Sequence, residues 1–345
     1  MKYKVTITDI AKELNITPAT VSRALSNHPG ISFKTKDLVQ KTANRLNYKK
    51  NSIASSLQSG KTNVIGVIIP SAEINFFGSV VHGIESIANV NGYNVLIYQS
   101  NENMEHEAKG IETFLSARVD GILASIAKNT ITYDHFLDVK ARNIPIVFFD
   151  RANDDLGIPS VVIDDYKGAF LATEHLISQG YKRIAHITGA QHISIWRIRL
   201  NGYLAALAAN NIPFDASLIY VGNISIESGK EAVKHFFENT DPPDAIFAVE
   251  DFTALGALKE LKDRNIRIPE EVGIIGFANE HFGEHITPAL STIDQQTVLM
   301  GKESIKLLLE LISGKENHKS KHRKIILEPI PIFRKSSMKN NKQTP

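Results

Sequence analysis

The chain has no cysteine. Disulfides, thiolate metal sites and a cysteine nucleophile are thereby excluded, and a reducing compartment fits. It also lacks any apolar run long enough to span a bilayer, and Met1 to Asp9 contains no apolar signal core. The expectation is a soluble, cytoplasmic protein without membrane contact. No glycine-rich phosphate loop of either common kind follows a strand, so nucleotide-driven catalysis is unsupported and no cofactor is expected. Strong net charge is missing too, at +2, but that total conceals an uneven distribution.

Residues 1–63 carry 11 Lys/Arg against 3 Asp/Glu, and residues 315–345 carry 9 against 2. The middle, 64–314, is acidic, with 19 against 32. A basic head on an acidic body is the charge pattern of a nucleic-acid-binding module joined to something else. With 345 residues, 43% of them hydrophobic and 22% charged, there is material for two or three domains with substantial cores.

Within the basic head, Thr6-Ile7-Thr8-Asp9 has the form of a capping box ahead of the helical stripe Ile10, Ala11, Leu14. Asn15-Ile16 is a tight turn into Thr17-Pro18-Ala19-Thr20-Val21-Ser22-Arg23-Ala24-Leu25. Thr17 can cap a helix and Pro18 is tolerated at its first position. Val21, Ala24 and Leu25 fall on one side, while Thr20, Ser22 and Arg23 project from the other. A dry back with a front of hydroxyls and one arginine suits a DNA major groove, where phosphates position and base edges specify. Ser32 can cap a third helix buried through Leu38, Val39, Thr42, Ala43 and Leu46, which completes a helix-turn-helix domain over residues 1–50.

Residues 51–63 read as a hinge. Ile53, Ala54 and Leu57 are too few to stabilise so short a helix alone, so it would order only on DNA against a partner copy. Leu57 is then an apolar wedge for a minor-groove base step.

From Val64 onward, apolar strands alternate with helical stretches. Strands at Val64–Pro70, Tyr93–Tyr98, Gly121–Ser125, Ile144–Asp150 and Val161–Asp165 are followed by a second round with strands at Arg183–Gly189, Leu218–Tyr220, Ala245–Val249 and Gly273–Phe277. Such alternation marks doubly wound parallel α/β sheets, here two in tandem with a cleft between lobes. Ligands in such sheets sit at the strands' carboxyl ends, so Ser125, Asp150, Arg151, Asp164, Asp165, Glu250, Asp251 and Asn279 line the candidate cleft. The bilobal domain is expected over 64–335, with lobe 1 at 64–164 plus 294–324 and lobe 2 at 165–293 plus 325–335. Residues 336–345 have the composition of a disordered tail.

The chain resembles the LacI/GalR family of bacterial transcriptional regulators over roughly residues 5–333. The matching residues include Ile7–Ala11, Thr17–Leu25, Leu46-Asn47-Tyr48, the hinge Ala54–Leu57 and Asn63–Pro70. Others are Arg118–Ile122, Ala172–Leu176, Ala254–Ala257 and Pro288–Ile293. The resemblance implies a periplasmic-binding-protein-like core, a homodimer on a pseudo-palindromic DNA operator, and an effector between the lobes that controls the order of the hinge helices. It implies phosphate contacts for Thr17, Thr20, Ser22, Ser32, Thr35, Tyr48 and Asn51. Pro18, Ala19 and Arg23 would face base edges, with Ala54 and the intercalating Leu57 on the operator centre. Since Pro18 and Ala19 donate no side-chain hydrogen bond, Arg23 carries more of the sequence choice. No leucine-heptad tail follows Phe333, which favours a dimer over a tetramer.

For the effector, which the resemblance implies is a sugar or sugar derivative, it places Arg199 as the ligand clamp. Its guanidinium can fork onto hydroxyls or a carboxylate. Phe76, Ser125, Asp150, Trp196, Glu250 and Asn279 would stand on the walls. Two departures stand out. Gly276-Phe277-Ala278-Asn279 replaces the pair of aspartates common in sugar-responsive members, and Ile74 stands where asparagine is common. The pocket is therefore not tuned to the most familiar sugars, and the effector's identity stays open, with a non-sugar metabolite or a protein corepressor as the alternatives.

Two other readings carry less of the sequence. A transport-type sugar-binding protein shares the bilobal core but leaves residues 1–60 without a purpose. His281-Phe282-Gly283-Glu284-His285 fits an inverted zinc-protease pattern, yet that chemistry needs the histidines on one helix face, and Gly283 with nearby Pro288 reads as loop.

Overall fold

The computed structural model describes residues 5–48, 61–238, 240–314 and 323–339. It divides into two compact units, Met1–Thr62 and Asn63–Pro345.

The first unit has three helices, α1 (Ile7–Leu14), α2 (Pro18–Leu25) and α3 (Phe33–Arg45). Each start follows from a short polar side chain. Asp9 Oδ2 accepts the Thr6 backbone N–H and hydroxyl, both at 2.8 Å. Thr17 Oγ1 accepts Thr20 N at 3.2 Å and Ser32 Oγ accepts Thr35 N at 3.2 Å, each satisfying an otherwise orphaned amide of the first turn. Asn15 ends α1 in the left-handed region (φ 52°), a conformation asparagine tolerates. The core is Ile10, Ala11, Val21, Ala24, Val39 and Ala43, with Leu46 and Tyr48 packed against it. Leu38, expected on the buried face of α3, is 49% exposed. Val39, Thr42 and Ala43 set the buried stripe, and the residue before Val39 is rotated about 100° off it.

The second unit opens with β1 (Val64–Ile69), α4 (Asn75–Val90), β2 (Asn94–Gln99), α5 (Met104–Ala117), β3 (Gly121–Ala124), α6 (Asp134–Ala141), β4 (Ile146–Phe149) and β5 (Ser160–Ile163). A second round follows with α7 (Asp165–Ser178), β6 (Ile184–Thr188), α8 (Ser194–Ala209), β7 (Ile219–Val221), α9 (Ile226–Phe237), β8 (Ala245–Ala248), α10 (Asp251–Asp263) and β9 (Gly273–Ile275). The chain closes with β10 (Thr292–Asp294), α11 (Thr297–Ile312), β11 (Lys324–Leu327) and β12 (Ile330–Ile332).

The first sheet has the order β11-β5-β4-β3-β1-β2 and the second β7-β6-β8-β9, with all pairs parallel. β10 and β12 form a separate antiparallel pair. Alternation within the apolar strands distributes side chains to both faces. Val147 and Phe149 of β4 join the core beneath α4 and α11, while Ile146 and Phe148 join that beneath α5 and α6. Helices α4 and α11 cross where two glycines face each other. A Cβ on Gly83 would lie 2.3 Å from Val298 O, and one on Gly301 would lie 2.1 Å from Val80 O.

Two expectations are corrected. Residues 325–327 belong to the first sheet rather than lobe 2, because β11 completes a parallel ladder with β5 in the register Lys324↔Ser160 to Leu327↔Ile163. Residues 336 and 337, expected in an unstructured tail, are packed. Ser336 and Ser337 are fully buried, Ser336 Oγ donates to Ile274 O at 2.7 Å, and Ser337 Oγ sits 2.7 Å from His175 Nε2. Helix α7 begins at Asp165, where Asp164 Oδ1 caps it by accepting Lys167 N at 2.9 Å.

Candidate functional site: an exposed helix and an interlobe cleft

In the first unit, α2 turns Val21 and Ala24 inward. Thr17, Pro18, Ala19 and Arg23 are exposed, as is Ser32 at the start of α3, while Thr20, Ser22, Thr35 and Tyr48 are half-buried. The exposed face therefore carries small side chains, hydroxyls and one guanidinium. Thr17 and Thr20 hydroxyls lie 2.9 Å apart and those of Ser32 and Thr35 2.8 Å apart, so each helix start presents an amide-and-hydroxyl cluster suited to a phosphate. Asn51, Ala54 and Leu57 lie outside the described residues.

In the second unit, strand ends deliver the cleft residues. Asp150 follows β4 in a left-handed conformation (φ 60°) and is almost fully buried. Ser125 Oγ donates to its Oδ2 at 3.1 Å. Burial pushes the Asp150 pKa up, opposed by the Arg151 and Arg199 cations. Arg151 forks onto Glu102 through Nη1 (2.7 Å) and Nη2 (3.0 Å), and its Nε lies 3.8 Å from Asp150 Oδ2. Lys128 Nζ is 3.8 Å from Glu102 Oε1 and 5.6 Å from the centre of the Trp196 ring.

From the other lobe, α8 starts at Ser194 and carries Trp196 and Arg199 inward. Arg199 Nε donates to Asp165 Oδ1 at 2.8 Å, Nη1 to Val249 O at 2.7 Å and Nη2 to Gln295 Oε1 at 3.2 Å. Its guanidinium also stacks 3.6 Å from the centre of the Phe277 ring. Burial pushes the Asp165 pKa up to about 6 against the pull of Arg199.

Glu250 caps α10, accepting Phe252 N at 2.8 Å and Thr253 N at 3.1 Å, and burial pushes its pKa up to about 7. Glu280 is buried, donates its backbone N–H to Asp251 Oδ2 at 2.7 Å, and accepts the backbone N–H of Phe76 from α4 on the opposite lobe. These groups surround a cavity of about 100 Å³ with Ile74, Phe76, Asp150, Trp196, Arg199, Ala278 and Gln295 on its walls. It adjoins a cavity of about 500 Å³ that shares Lys128, Asp150, Arg151 and Ile195.

The expected wall residues Phe76, Asp150, Trp196, Arg199 and Glu250 thus converge on one cavity. Three of the expected cleft residues line neither cavity, the first being Asp251, which is fully buried and accepts Glu280 N at 2.7 Å and the Thr292 hydroxyl at 2.8 Å. Ser125 is fully buried behind Asp150. Asn279 turns away, donating to Asp294 Oδ2 at 3.0 Å and accepting from Arg334 Nη2 at 3.0 Å. Glu280 takes its place on the wall. Lys128, Gln295 and Glu280 were missed in the sequence. Only the position of Gln295 directly after β10 could have signalled it, whereas Lys128 and Glu280 arrive from loops.

The His281–Glu284 segment is a 3-10 turn, and the donor atoms of His281, Glu284 and His285 come within 4.8 Å of one another. All three are exposed, so they lack the enclosed site that hydrolytic zinc chemistry needs.

Comparison with known proteins agrees with this arrangement. The profile described as "Bacterial regulatory proteins, lacI family" matches residues 6–51. That described as "Periplasmic binding proteins and sugar binding domain of LacI family" matches residues 62–336. Catabolite control protein A of Priestia megaterium is 33% identical over 310 residues, covering 90% of this chain and 93% of its own. The HTH-type transcriptional repressor CytR of Escherichia coli (strain K12) is 32% identical over 309 residues, covering 90% of each. The lac repressor dimer bound to operator and an anti-inducer superposes with a TM-score of 0.87 at 25% identity, covering 98% of this chain and all of the other. A complex of the regulator CelR with cellobiose superposes at 0.71 with 26% identity, covering 96% and 99%. Among the described residues no helix is long and apolar enough to cross a membrane. The chain belongs to the LacI family and is a DNA-binding transcriptional regulator with a ligand-binding core, not an enzyme.

Proposed function

We propose that this regulator is a repressor of carbohydrate-utilisation genes that binds a palindromic operator as a homodimer and responds to a small molecule held between the lobes of its core. The observation that carries the effector reading is the convergence of Phe76, Asp150, Trp196, Arg199 and Glu250 on one interlobe cavity. An aromatic face beside clustered hydrogen-bonding groups is the chemistry that holds a sugar ring. The complex of the relative CelR with cellobiose favours the same ligand class.

DNA contact falls to the front of α2, with Thr17, Thr20, Ser22, Ser32, Thr35, Tyr48 and Asn51 on phosphates, Pro18, Ala19 and Arg23 on base edges, and Ala54 and Leu57 at the operator centre. A dimer is supported by edge strands β2 and β7, which leave Leu96, Ile97 and Val221 exposed, one edge on each lobe. Exposed apolar strand edges are normally covered.

The test measures affinity for a library-selected operator against salt, with and without candidate sugars. A steep fall of affinity with salt, and a ligand-dependent change at fixed salt, are the expected results. No DNA affinity at low salt would overturn the regulator reading at its root.

A further inference from the structure

The 3-10 turn that follows Glu280 sorts its side chains by chemistry. Phe282 and Ile286 pack against the second lobe's core, with the Phe282 ring 5.0 Å from that of Phe252. Gly283 is buried between them, its amide donating to Glu280 O at 2.9 Å and its carbonyl accepting Leu290 N at 2.7 Å. His285 N donates to Phe282 O at 3.0 Å. The backbone is thereby held from the inside, and His281, Glu284 and His285 are left together on the outside. The sequence alone reads this stretch as a loop that scatters its histidines, and the turn instead gathers them.

The spacing of the three donor groups is specific. His281 Nδ1 lies 3.4 Å and His285 Nε2 3.3 Å from one and the same oxygen, Glu284 Oε1. Charge-assisted N–H···O bonds close further, to about 2.7–2.9 Å. Ligand atoms around a tetrahedral ion with bonds of about 2.1 Å stand about 3.4 Å apart. Two of the three edges therefore already have the length an ion would impose, and all three donor atoms lie within 4.8 Å of one another. The imidazoles meet edge to face, 4.9 Å between centroids, so rotation of these exposed rings is free to close the third edge. No lysine or arginine among the described residues comes within 4.0 Å of the Glu284 carboxylate, whose charge is left for a cation.

We propose that His281, Glu284 and His285 form a binding site for one borderline-soft divalent transition ion such as Zn2+, with water completing its coordination. Two imidazoles and a carboxylate suit that class, whereas Ca2+ and Mg2+ seek about six or more oxygens. The site binds an ion without hydrolytic work, since it offers no dry, shaped cavity for a substrate. The ion joins both ends of the turn directly after Glu280, the residue whose carboxylate accepts the Phe76 amide from the first lobe. Binding therefore stiffens the segment adjoining that contact between lobes. The proposal stands on these donor atoms and is independent of the effector's identity.

The experiment titrates the untagged, metal-free full chain with Zn2+, Co2+, Ca2+ and Mg2+ by calorimetry, alongside His281→Asn, Glu284→Gln and His285→Asn. Visible absorption of the Co2+ form reports its ligand geometry. One site per chain for Zn2+ and Co2+ is expected, with Ca2+ and Mg2+ at least about tenfold weaker. Loss of an outer-shell partner already costs about 10–100-fold in metal affinity, so each ligand variant is expected to lose at least about tenfold. Zn2+ is expected to raise the unfolding midpoint of the wild type by mass action and to leave that of His285→Asn unmoved. Because the three side chains are exposed, the metal-free midpoints of all variants are expected to match the wild type. Absence of saturable Zn2+ binding overturns the proposal. Wild-type affinity in all three variants overturns it too and moves the ion elsewhere, with His318 and His322, outside the described residues, as the next pair to replace. Ca2+ or Mg2+ binding as tightly as Zn2+ overturns the assigned ion class.

Discussion

Arg199 donates from Nε to Asp165 Oδ1 at 2.8 Å, and both side chains are almost completely excluded from solvent. The residue proposed as the ligand clamp is therefore also the neutralising partner of a carboxylate at the start of α7. That double duty changes what its removal does. Arg199→Ala leaves Asp165 buried and unpaired, and breaking one side of a buried pair costs about 3–5 kcal/mol. The expected outcome in urea unfolding is a large loss for Arg199→Ala and recovery of most of it in Arg199→Met with Asp165→Leu. Equal instability of single and double variants would show that packing rather than charge governs the site.

Buried acids give the core a pH dependence of defined sign. Burial pushes Asp251 and Glu250 up to about 7 and Asp165 up to about 6, all above their ordinary values. The folded state then binds more protons than the unfolded state between about pH 4 and 7, so these groups contribute a loss of stability as pH rises through that window. Each fully shifted group contributes a slope of about 1.4 kcal/mol per pH unit. His186, pushed down to about 4 by burial, opposes them by destabilising the fold as pH falls below about 6.5. Unfolding free energies of wild type and Asp251→Asn measured from pH 5 to 8 should differ in slope, with the variant losing less stability toward pH 8. Parallel curves would place the Asp251 pKa near its ordinary value.

The crossing of α4 and α11 predicts a local stability defect. A methyl on Gly301 would meet Val80 O at 2.1 Å, so Gly301→Ala must push the helices apart. Overpacking of this kind costs about 1–3 kcal/mol. A lowered unfolding midpoint is expected, and an unchanged one would mean that the helices separate freely.

Arg23 is exposed on α2, and its side chain is the only charged one on that helix. Arg23→Ala should relax base preference at one position per half-site and cost about 1–3 kcal/mol of operator affinity. A randomised-site selection returning the wild-type preference would remove it from base readout.

Leu57→Ala should weaken operator binding far more than binding to unrelated DNA, because only an operator-bound hinge places an apolar wedge in a base step. Equal losses on both DNAs would end the wedge assignment.

Much of the molecule was legible because it is written in local physics. Capping side chains at Thr17 and Ser32 mark helix starts through hydrogen bonds spanning three residues, and the apolar run Val64–Ile69 marks a strand buried on both faces. Strand-end positions likewise located Asp150 and Glu250, since a parallel sheet delivers its carboxyl ends to one edge.

What only the tertiary structure decided depends on groups far apart in sequence. The loop after β9 sends Asn279 to Asp294 and Arg334 and turns the next residue, Glu280, toward α4 of the other lobe. Pairing of β11 with β5 moves residues 325–327 across the expected lobe boundary, and Ser336 and Ser337 become core because Ile274, Ser291 and His175 supply their hydrogen-bond partners. The sequence alone thus determined the two-part construction, helix-turn-helix head and doubly wound core, through periodicity, caps and charge. Which cations in the cleft are already neutralised was decided by tertiary packing, because Arg199 and Asp165 lie 34 residues apart and Arg151 and Glu102 lie 49 apart.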